Sequence, residues 1–280
     1  MKSIALCVLA LLGGVSAGVG AQTRAEVPRN GTVAVHSASG SVRVVGWSRA
    51  EVSASTDDPD GRVRVARDGG VATVRAADHV EMEVRVPAGS RVVVKTRSGS
   101  IAVEGVTGAL DLESMSGSFR IGGTPRMVTV EGISGNVDVV GTTETLRVKT
   151  VSGHVRVPRA GSFVDAVSVS GDVEVTGGGL RRATLRSTSG RVAFTGTLPR
   201  DGSLHLESTS GVVELRVPSG IAAHFDLSSL GSGEVESELG PRPTRDDDSP
   251  SVERLRFSNG PGGAEITART VSGVVRLRRQ

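Results

Sequence analysis

Residues 98–135 read SGSIAVEGVTGALDLESMSGSFRIGGTPRMVTVEGISG and contain the dipeptide Ser-Gly three times at one spacing. The dipeptide returns every 18 residues, at Ser98, Ser116, Ser134, Ser152 and Ser170. It recurs at less regular intervals outside this stretch, at Ser39, Ser189, Ser210 and Ser272. A period near 20 residues over such a length is typical of stacked-repeat proteins, in which each unit covers the open face of its neighbour.

Each repeat carries a short β-strand on either side of its Ser-Gly. Apolar residues stand six and four positions before the Ser and three and five positions after it, as in Leu146/Val148 and Val155/Val157. This alternation with period two buries one face of each strand. Glycine supplies the positive φ that a tight corner requires. We therefore predict an all-β fold, a single elongated parallel β-solenoid (β-helix-like) with coils of about 18 residues marked by Ser-Gly turns.

The outward positions predict how the coils stack. Four residues after the Ser, successive repeats carry side chains of alternating sign, Arg120, Asp138, Arg156 and Glu174. Like positions lie side by side if the coils stack in register on parallel strands. The charges would then form cross-strand pairs, each contributing roughly 0.2–1 kcal/mol. A hairpin meander would not bring these residues together, so the pattern favours an in-register stack.

The first 21 residues have the pattern of a secretory signal peptide. Lys2 precedes the apolar run 4–12, and the small residues that end at Ala21 form a cleavage site; cleavage after Ala17 is a less favoured alternative. Cys7, the only cysteine, lies inside this segment, so the mature chain is expected to have no disulfide. We expect an exported protein, periplasmic or extracellular at the cell surface, with no transmembrane segment in the mature chain.

The repeat pattern divides the rest of the chain into two regions. Strand-like segments without the full repeat predict an N-terminal β region and cap of the solenoid at residues 22–97. Regular solenoid repeats are predicted for residues 98–280. An irregular loop is expected at about 238–251, where three prolines and an Asp246–Asp248 run interrupt the periodicity.

Composition narrows the possible partners. The formal net charge is +3, and acidic and basic residues are interspersed along the sequence. The chain has no Tyr, one Trp and five Phe, so it offers few rings on which bases could stack. We therefore expect no nucleic-acid partner. An envelope or extracellular protein or polysaccharide is the expected partner class.

No set of residues in the sequence predicts catalysis, a cofactor or a metal. The five histidines have no metal-ligand spacing and are scattered over the chain, at His36, His79, His154, His205 and His224. The Ser-Gly serines lack a matching column of His or Asp. The Asp246–Asp248 run is expected to be a solvated loop, and cation binding there is left open. Residues 57–61 are expected to form a turn. Trp47 is expected to be buried against the first coil, and an exposed binding anchor is the alternative.

A second column, two residues before each Ser, consists of hydroxyl residues: Ser37, Thr96, Ser114, Thr150, Ser168, Ser187, Ser208 and Thr270. We expect it to form a ladder that satisfies backbone and hydroxyl groups at the bend.

The unit [Ser/Thr]-x-Ser-Gly-x-Val-x-Val, carried by residues 150–157 and closely by residues 270–277, resembles the bacterial putative-adhesin family of β-strand-repeat envelope proteins. That family is catalogued as a domain of unknown function. The resemblance covers nearly the whole mature chain and implies an extracytoplasmic β-solenoid with an adhesive or envelope-associated role. It offers no catalytic residues to carry over.

Three classes of function fit these observations. We favour a non-enzymatic extracytoplasmic adhesin-like binding or scaffold protein of the bacterial cell envelope. The alternative is a structural or envelope-stress-associated protein that binds a protein partner. A polysaccharide-active solenoid enzyme is less favoured, because it needs clustered acid and base groups and is usually rich in aromatic sugar platforms.

The signal peptide gives the first prediction. Mass spectrometry of the protein from the bacterium that encodes it should find Gln22 at the N-terminus, because the small residues before it form the favoured cleavage site. A cytosolic protein that retains Met1 would contradict the predicted export.

Overall fold

The computed structural model describes residues 23–56, 63–231, 233–245 and 251–280, which consist of β-strands and the turns between them. The predicted signal peptide lies outside these ranges. In chain order the strands are β1 Thr23–Glu26, β2 Thr32–Ser39, β3 Val42–Trp47, β4 Glu51–Thr56, β5 Val63–Asp68, β6 Val71–Ala76, β7 Met82–Pro87, β8 Arg91–Ser98, β9 Ile101–Glu104, β10 Ala109–Ser116, β11 Phe119–Ile121, β12 Met127–Ser134, β13 Val137–Val139, β14 Thr145–Ser152, β15 Val155–Val157, β16 Phe163–Ser170, β17 Val173–Gly178, β18 Arg182–Ser189, β19 Val192–Thr197, β20 Ser203–Val217, β21 Ala223–Leu230, β22 Glu234–Ser237, β23 Thr244–Arg245, β24 Val252–Asn259 and β25 Ala264–Arg279.

The chain winds in coils of two layers. In each coil, the strand before the Ser-Gly corner lies in what we call the front layer, and the strand after it lies in the back layer. In the front layer, parallel pairing joins β8, β10, β12, β14, β16 and β18 in this order. The back layer repeats the arrangement with β9, β11, β13, β15, β17 and β19. Arg120 lies beside Asp138, as the alternating charges predict.

The core lies between the two layers. In β15, Val155 and Val157 are buried and Arg156 is exposed, and β14 alternates in the same way. Each fully buried aliphatic side chain contributes about 1.5–3 kcal/mol relative to leaving it in water. β-branched residues suit this pleated, half-buried surface, which explains why valine dominates the inward positions. The prediction of an all-β, solenoid-like fold is confirmed.

The coils do not stack in the order of the sequence at either end. The β2–β3 coil pairs with the β6–β7 coil on one side and with the β8–β9 coil on the other. At the other end, β25 pairs with β20 along both layers and also with β21 and β22. The first and last coils of the sequence therefore both lie inside the stack.

Antiparallel strands cover both ends, so the predicted parallel solenoid holds for the pairing of the coils but not for the whole sheet. At one end, β4 pairs antiparallel with β7, β1 with β4, and β5 with β6. At the other, β24 pairs antiparallel with β21, and β23 with β24. These strands occupy edges that would otherwise be free to pair with another chain. The sheet is thus mixed, with parallel coils inside and antiparallel strands outside.

The Ser-Gly corners form a continuous column of glycines. A Cβ added to Gly153 would lie 2.1 Å from the carbonyl oxygen of Gly135, and one added to Gly135 would lie 2.1 Å from that of Gly117. Both contacts are shorter than real Cβ atoms tolerate. Gly153 also has a φ of 146°, a conformation that favours glycine. Its N–H donates to the carbonyl of Ser170 on the next coil at 3.3 Å, so the β-ladder continues through the corner.

The glycine column ends at the outermost coil beyond β2–β3. A Cβ on Gly40 would lie 2.2 Å from the carbonyl oxygen of Val80, which occupies the corner of the β6–β7 coil. In that corner His79 adopts a φ of 63°, the one positive value of a non-glycine residue in the described ranges. Glycine is therefore absent from the corner of the coil that ends the stack.

Residues 238–251, expected as an irregular loop, contain β23 within their described part. Gly240 packs on the ring of Phe257 with a φ of 79°, and an added Cβ would lie 2.8 Å from the ring. Phe257 in turn stacks on Phe225, with ring centroids 4.6 Å apart. The chain at Gly240 therefore covers an aromatic pair at this end of the stack.

The glycine column predicts that close approach, rather than backbone conformation alone, fixes these corners. Gly153→Ala adds a backbone clash to an unfavourable φ, whereas Gly179→Ala has a φ of 99° but no atom within 4 Å of the added Cβ. We expect Gly179→Ala to lower the free energy of unfolding by about 1–2 kcal/mol. Gly153→Ala should cost about 2 kcal/mol more than that. Urea unfolding curves measure both, and equal losses would contradict the close contact.

A candidate binding surface along the Ser-Gly edge

Three side-chain columns run along the Ser-Gly edge, perpendicular to the strands. Counting back from the glycine, they are the serine of the dipeptide, an exposed residue and a buried hydroxyl residue. In β14 these are Ser152, Val151 and Thr150. Because the strands pair in register, each column repeats from coil to coil at about 4.8 Å.

The exposed column is apolar over four consecutive coils. We call these residues the apolar stripe: Met115, Ile133, Val151 and Val169, whose exposed fractions are 54%, 47%, 44% and 47%. Threonines at 188 and 209 follow, and Val271 and Leu230 resume the apolar character on the last two coils. Scattered exposed aliphatics are ordinary on a protein surface, but a contiguous row of them marks an interaction surface.

The hydroxyl column beneath the stripe is buried but only partly hydrogen-bonded. Ser187 Oγ donates to the carbonyl of Gly171 at 2.9 Å, and Ser208 Oγ donates to that of Gly190 at 3.3 Å. Ser37 and Thr96 donate to nearby carbonyls of their own strands. Buried hydroxyl oxygens without a protein partner occur at Ser114, Thr150, Ser168 and Thr270. The hydroxyl groups of the predicted ladder are therefore hydrogen-bonded at some corners and unpaired at others.

One coil replaces the buried hydroxyl residue by glycine. Gly132 stands at this position in β12, and a Cβ there would lie 3.1 Å from the ring of Phe119. The ring comes from the back layer, where Phe119 is buried. The larger side chain in one layer thus fills the space that the missing side chain leaves in the other.

On the back-layer side of the corner, side chains accept hydrogen bonds from the next coil. Asn136 Oδ1 accepts from the N–H of His154 at 3.0 Å, and Asp172 Oδ1 accepts from the N–H of Arg191 at 2.8 Å. Between these two, His154 Nδ1 accepts a hydrogen bond of 3.4 Å from the backbone N–H of Asp172. This polar row supports the corner on the side opposite the apolar stripe.

Glu214 is the most enclosed charged group of the back layer. Its carboxylate lies 2.5 Å from Arg191 and 2.5 Å from Arg216, and its side chain is 9% exposed. Arg191 also contacts Glu174 on the adjacent coil at 3.3 Å, so it links two carboxylates that lie two coils apart. Burial raises the pKa of Glu214, but the hydrogen bonds from Arg216 and Arg191 outweigh burial and leave the pKa below its ordinary value. Both arginines hold the carboxylate in this ion-pair network.

The five histidines lie apart, as their scatter in the sequence suggests. His224 Nδ1 contacts the hydroxyl of Ser258 at 2.6 Å, and His205 Nε2 lies 3.4 Å from Glu207. His79 stands in the outermost corner, and His36 lies in β2. No group of three His, Cys, Asp or Glu side chains in the described residues is arranged to hold a metal ion. The Asp246–Asp248 run and residues 57–61 lie outside the described ranges.

Trp47 is half-buried, between the two alternatives that the sequence left open. Its Nε1–H donates to the carbonyl of Glu51 at 2.8 Å, and the guanidinium carbon of Arg49 lies 5.3 Å from the ring centroid. The indole is thus held in the turn between β3 and β4 by its hydrogen bond and its cation–π contact.

Comparison with protein families assigns the chain. The family model described as Toastrack DUF4097 matches residues 27–177 and, in an overlapping second match, residues 78–278. The chain belongs to the Toastrack DUF4097 family. This membership agrees with the all-β, solenoid-like fold and confirms the resemblance to the family of unknown function that the repeat unit suggests. None of the curated proteins matches this Toastrack chain significantly.

Three solved structures are similar to this Toastrack chain. A putative cell adhesion protein from Clostridium sporogenes is 8% identical over 93% of this chain and 100% of its own, with a TM-score of 0.23. A putative adhesin from Bacteroides fragilis is 10% identical over 92% and 96%, with a TM-score of 0.33. A putative adhesin from Parabacteroides distasonis is 11% identical over 93% and 98%, with a TM-score of 0.34.

The described part of the Toastrack chain contains no helix with the length and apolarity needed to cross a bilayer.

The columns of charged and hydroxyl residues in the sequence do not reveal the apolar stripe beside them. Period-two alternation places the residue before each Ser on the outside of its strand, where polar residues are expected. Met115, Ile133 and Val151 violate that expectation in successive coils. The signal was therefore present in the sequence as apolar residues at an outward position.

The Glu214 network predicts a pH-dependent contribution to stability. A carboxylate whose folded-state pKa is lowered contributes stability above its unfolded-state pKa and loses it as pH falls through the folded-state value. We expect Glu214→Gln to reduce the free energy of unfolding by about 1 kcal/mol at pH 7, with much less difference from wild type below pH ~4. Glu131→Gln is the control, because its contact with Lys149 is 3.9 Å long and both side chains are more than half exposed. Chemical unfolding at several pH values measures both, and a Glu214→Gln effect that is independent of pH would contradict the network.

Proposed function

We propose that the chain is a non-enzymatic extracytoplasmic adhesin-like binding or scaffold protein of the bacterial cell envelope, and that the apolar stripe is where it docks a partner protein. One observation carries the proposal. Met115, Ile133, Val151 and Val169 expose about half of their surface in four adjacent coils, where the strand pattern calls for polar residues.

The shape and chemistry of the stripe favour a protein as its partner. The stripe lies on a corner of the coils, so it forms a ridge that fits into an apolar groove of a partner. The serines beside it, Ser116, Ser134, Ser152 and Ser170, are exposed and can exchange hydrogen bonds at the rim. Interfaces combine an apolar centre with such a polar rim. The stripe offers no aromatic ring on which a sugar could stack.

The ionisable groups support binding rather than catalysis. Glu214 is paired with two arginines, and Asp226 lies within 4 Å of Arg254, Arg256 and Arg269. Burial raises the pKa of Asp226, but its arginine partners outweigh burial and lower it. A general acid needs a raised pKa, so neither carboxylate is suited to be the general acid of a polysaccharide hydrolase. The predicted signal peptide supports an extracytoplasmic location.

Substitution within the stripe tests the proposal. The double variant Ile133→Ser/Val151→Ser removes the centre of the stripe without touching the core, because both side chains are exposed. We expect about 1 kcal/mol of binding free energy to be lost per side chain, and hence affinity to fall tenfold or more. The measurement is saturable binding of labelled chain 22–280 to envelope preparations from the bacterium that encodes it.

Two controls make the result specific. Thr188→Ser/Thr209→Ser alters the same column outside the stripe and should leave binding unchanged. Protease treatment of the envelopes should abolish binding if the partner is a protein. Unchanged binding by Ile133→Ser/Val151→Ser would contradict the stripe as the docking surface. Release of polysaccharide fragments that stops on one Asp or Glu substitution would contradict a non-enzymatic function.

A further inference from the structure

A row of basic side chains crosses the front layer at the β5 end of the stack. Arg64 pairs in register with Arg75, Arg75 with His36, and His36 with Lys95. Neighbouring strands lie about 4.8 Å apart, so the row extends over about 14 Å. The sequence does not reveal it, because the antiparallel strand β5 and the exchanged order of β2 and β6 bring these residues together.

The row lacks the alternation of charge that Arg120, Asp138, Arg156 and Glu174 show in the back layer. Further along the same column, Lys95 meets Glu113 at 2.6 Å, where the opposite charge resumes. Among the described residues, no carboxylate lies within 4 Å of Arg64, Arg75 or Arg97. Three guanidinium groups at this end of the front layer therefore have no ionic partner in the described part of the chain.

A recess lies beside the row. It has a volume of about 510 Å³ and is lined by His36, Arg75, Lys95 and Arg97, with Ala38 and Ala76 as small side chains between them. The short alanines leave room for a group that approaches the cations. The rest of the lining consists of Ser37, Thr96, Glu113 and Met115, so the recess ends where the apolar stripe begins.

The pKa of His36 reflects the positive electrostatic potential in this recess. Burial, together with the positive charges of Arg75 and Lys95, lowers the pKa of His36. Arg75 lies beside it on β6 and Lys95 beside it on β8, and the charged groups beyond them are Arg64, Arg97 and Glu113. Among the described residues cations outnumber carboxylates here, so a bound anion would neutralise unpaired positive charge.

We propose that this basic row and its recess bind an anionic polysaccharide. A line of cations at strand spacing matches a chain-shaped ligand with repeated negative groups, and arginine forks suit carboxylate and sulfate oxygens. Phe, Tyr and Trp side chains for base stacking are absent from the recess lining, which disfavours single-stranded nucleic acid. The inference goes beyond the proposed function, because the basic side chains are not part of the apolar stripe, which shares only Met115 with the lining of the recess.

The test uses two arginine pairs that change net charge equally. Arg75→Gln/Arg97→Gln removes two cations of the site, and Arg120→Gln/Arg156→Gln removes two exposed cations of the back layer. Binding of the mature chain is measured by calorimetry with polygalacturonate and dextran sulfate, with neutral dextran as the uncharged probe. We expect Arg75→Gln/Arg97→Gln to weaken polyanion binding at least tenfold and the back-layer variant to weaken it less than twofold.

Two further readouts separate a specific site from general attraction. The NMR titration of His36 should shift to higher pH when polygalacturonate is bound, and wild-type binding should weaken between 50 and 200 mM NaCl. Equal losses in the two double variants, binding of neutral dextran, or an unchanged His36 titration would overturn the proposal. So would the absence of polyanion binding, or tighter binding to vesicles of anionic lipid or to an oligothymidylate. Loss of polyanion binding without loss of envelope binding by the stripe would separate the two surfaces.

Discussion

The close contact between successive glycines is the constraint on which the rest of the structure depends. Each Ser-Gly glycine except Gly40, which meets Val80, faces the carbonyl oxygen of the glycine one coil away, so closely that an added Cβ would clash. That contact fixes the separation and register of the corners, and the strands on both sides inherit the register. The inward valines and leucines then fall into continuous columns, and the outward charges fall into cross-strand pairs.

The same contact explains which coil can end the stack. The glycine Cα of each coil faces the neighbour on its β6–β7 side, so a coil with no further parallel coil beyond it does not need this glycine. The β6–β7 coil has Val80 at this place, and it is outermost although β2–β3 precedes it in the sequence. At the other end Gly233 meets the carbonyl of Gly273, which places the β21–β22 coil outside β25.

Local pattern predicts the coil but not the order of the coils. The spacing of Ser-Gly and the alternation around Val155 and Val157 predict the strands, their buried faces and their register. The insertion of β25 between β20 and β21 depends on pairs such as Leu204 with Ile266, which no periodicity of the sequence connects. The apolar stripe was visible as apolar residues at an outward position. The basic row was not, because Arg64 reaches Arg75 only through an antiparallel hairpin and Arg75 reaches His36 only through the exchanged coil order.

Disulfide cross-linking tests the coil order most directly, since no cysteine follows Cys7 in the sequence. Thr209 lies beside Val271 on adjacent coils, and Leu230 lies one coil further away. Adjacent strands, about 4.8 Å apart, are within disulfide range, whereas strands two places apart, at about 10 Å, are not. On mild oxidation, the variant Thr209→Cys/Val271→Cys should form an intramolecular disulfide and Thr209→Cys/Leu230→Cys should not. The opposite result would show that the coils stack in sequence order, and that the glycine column does not run from Gly211 through Gly273 to Gly233.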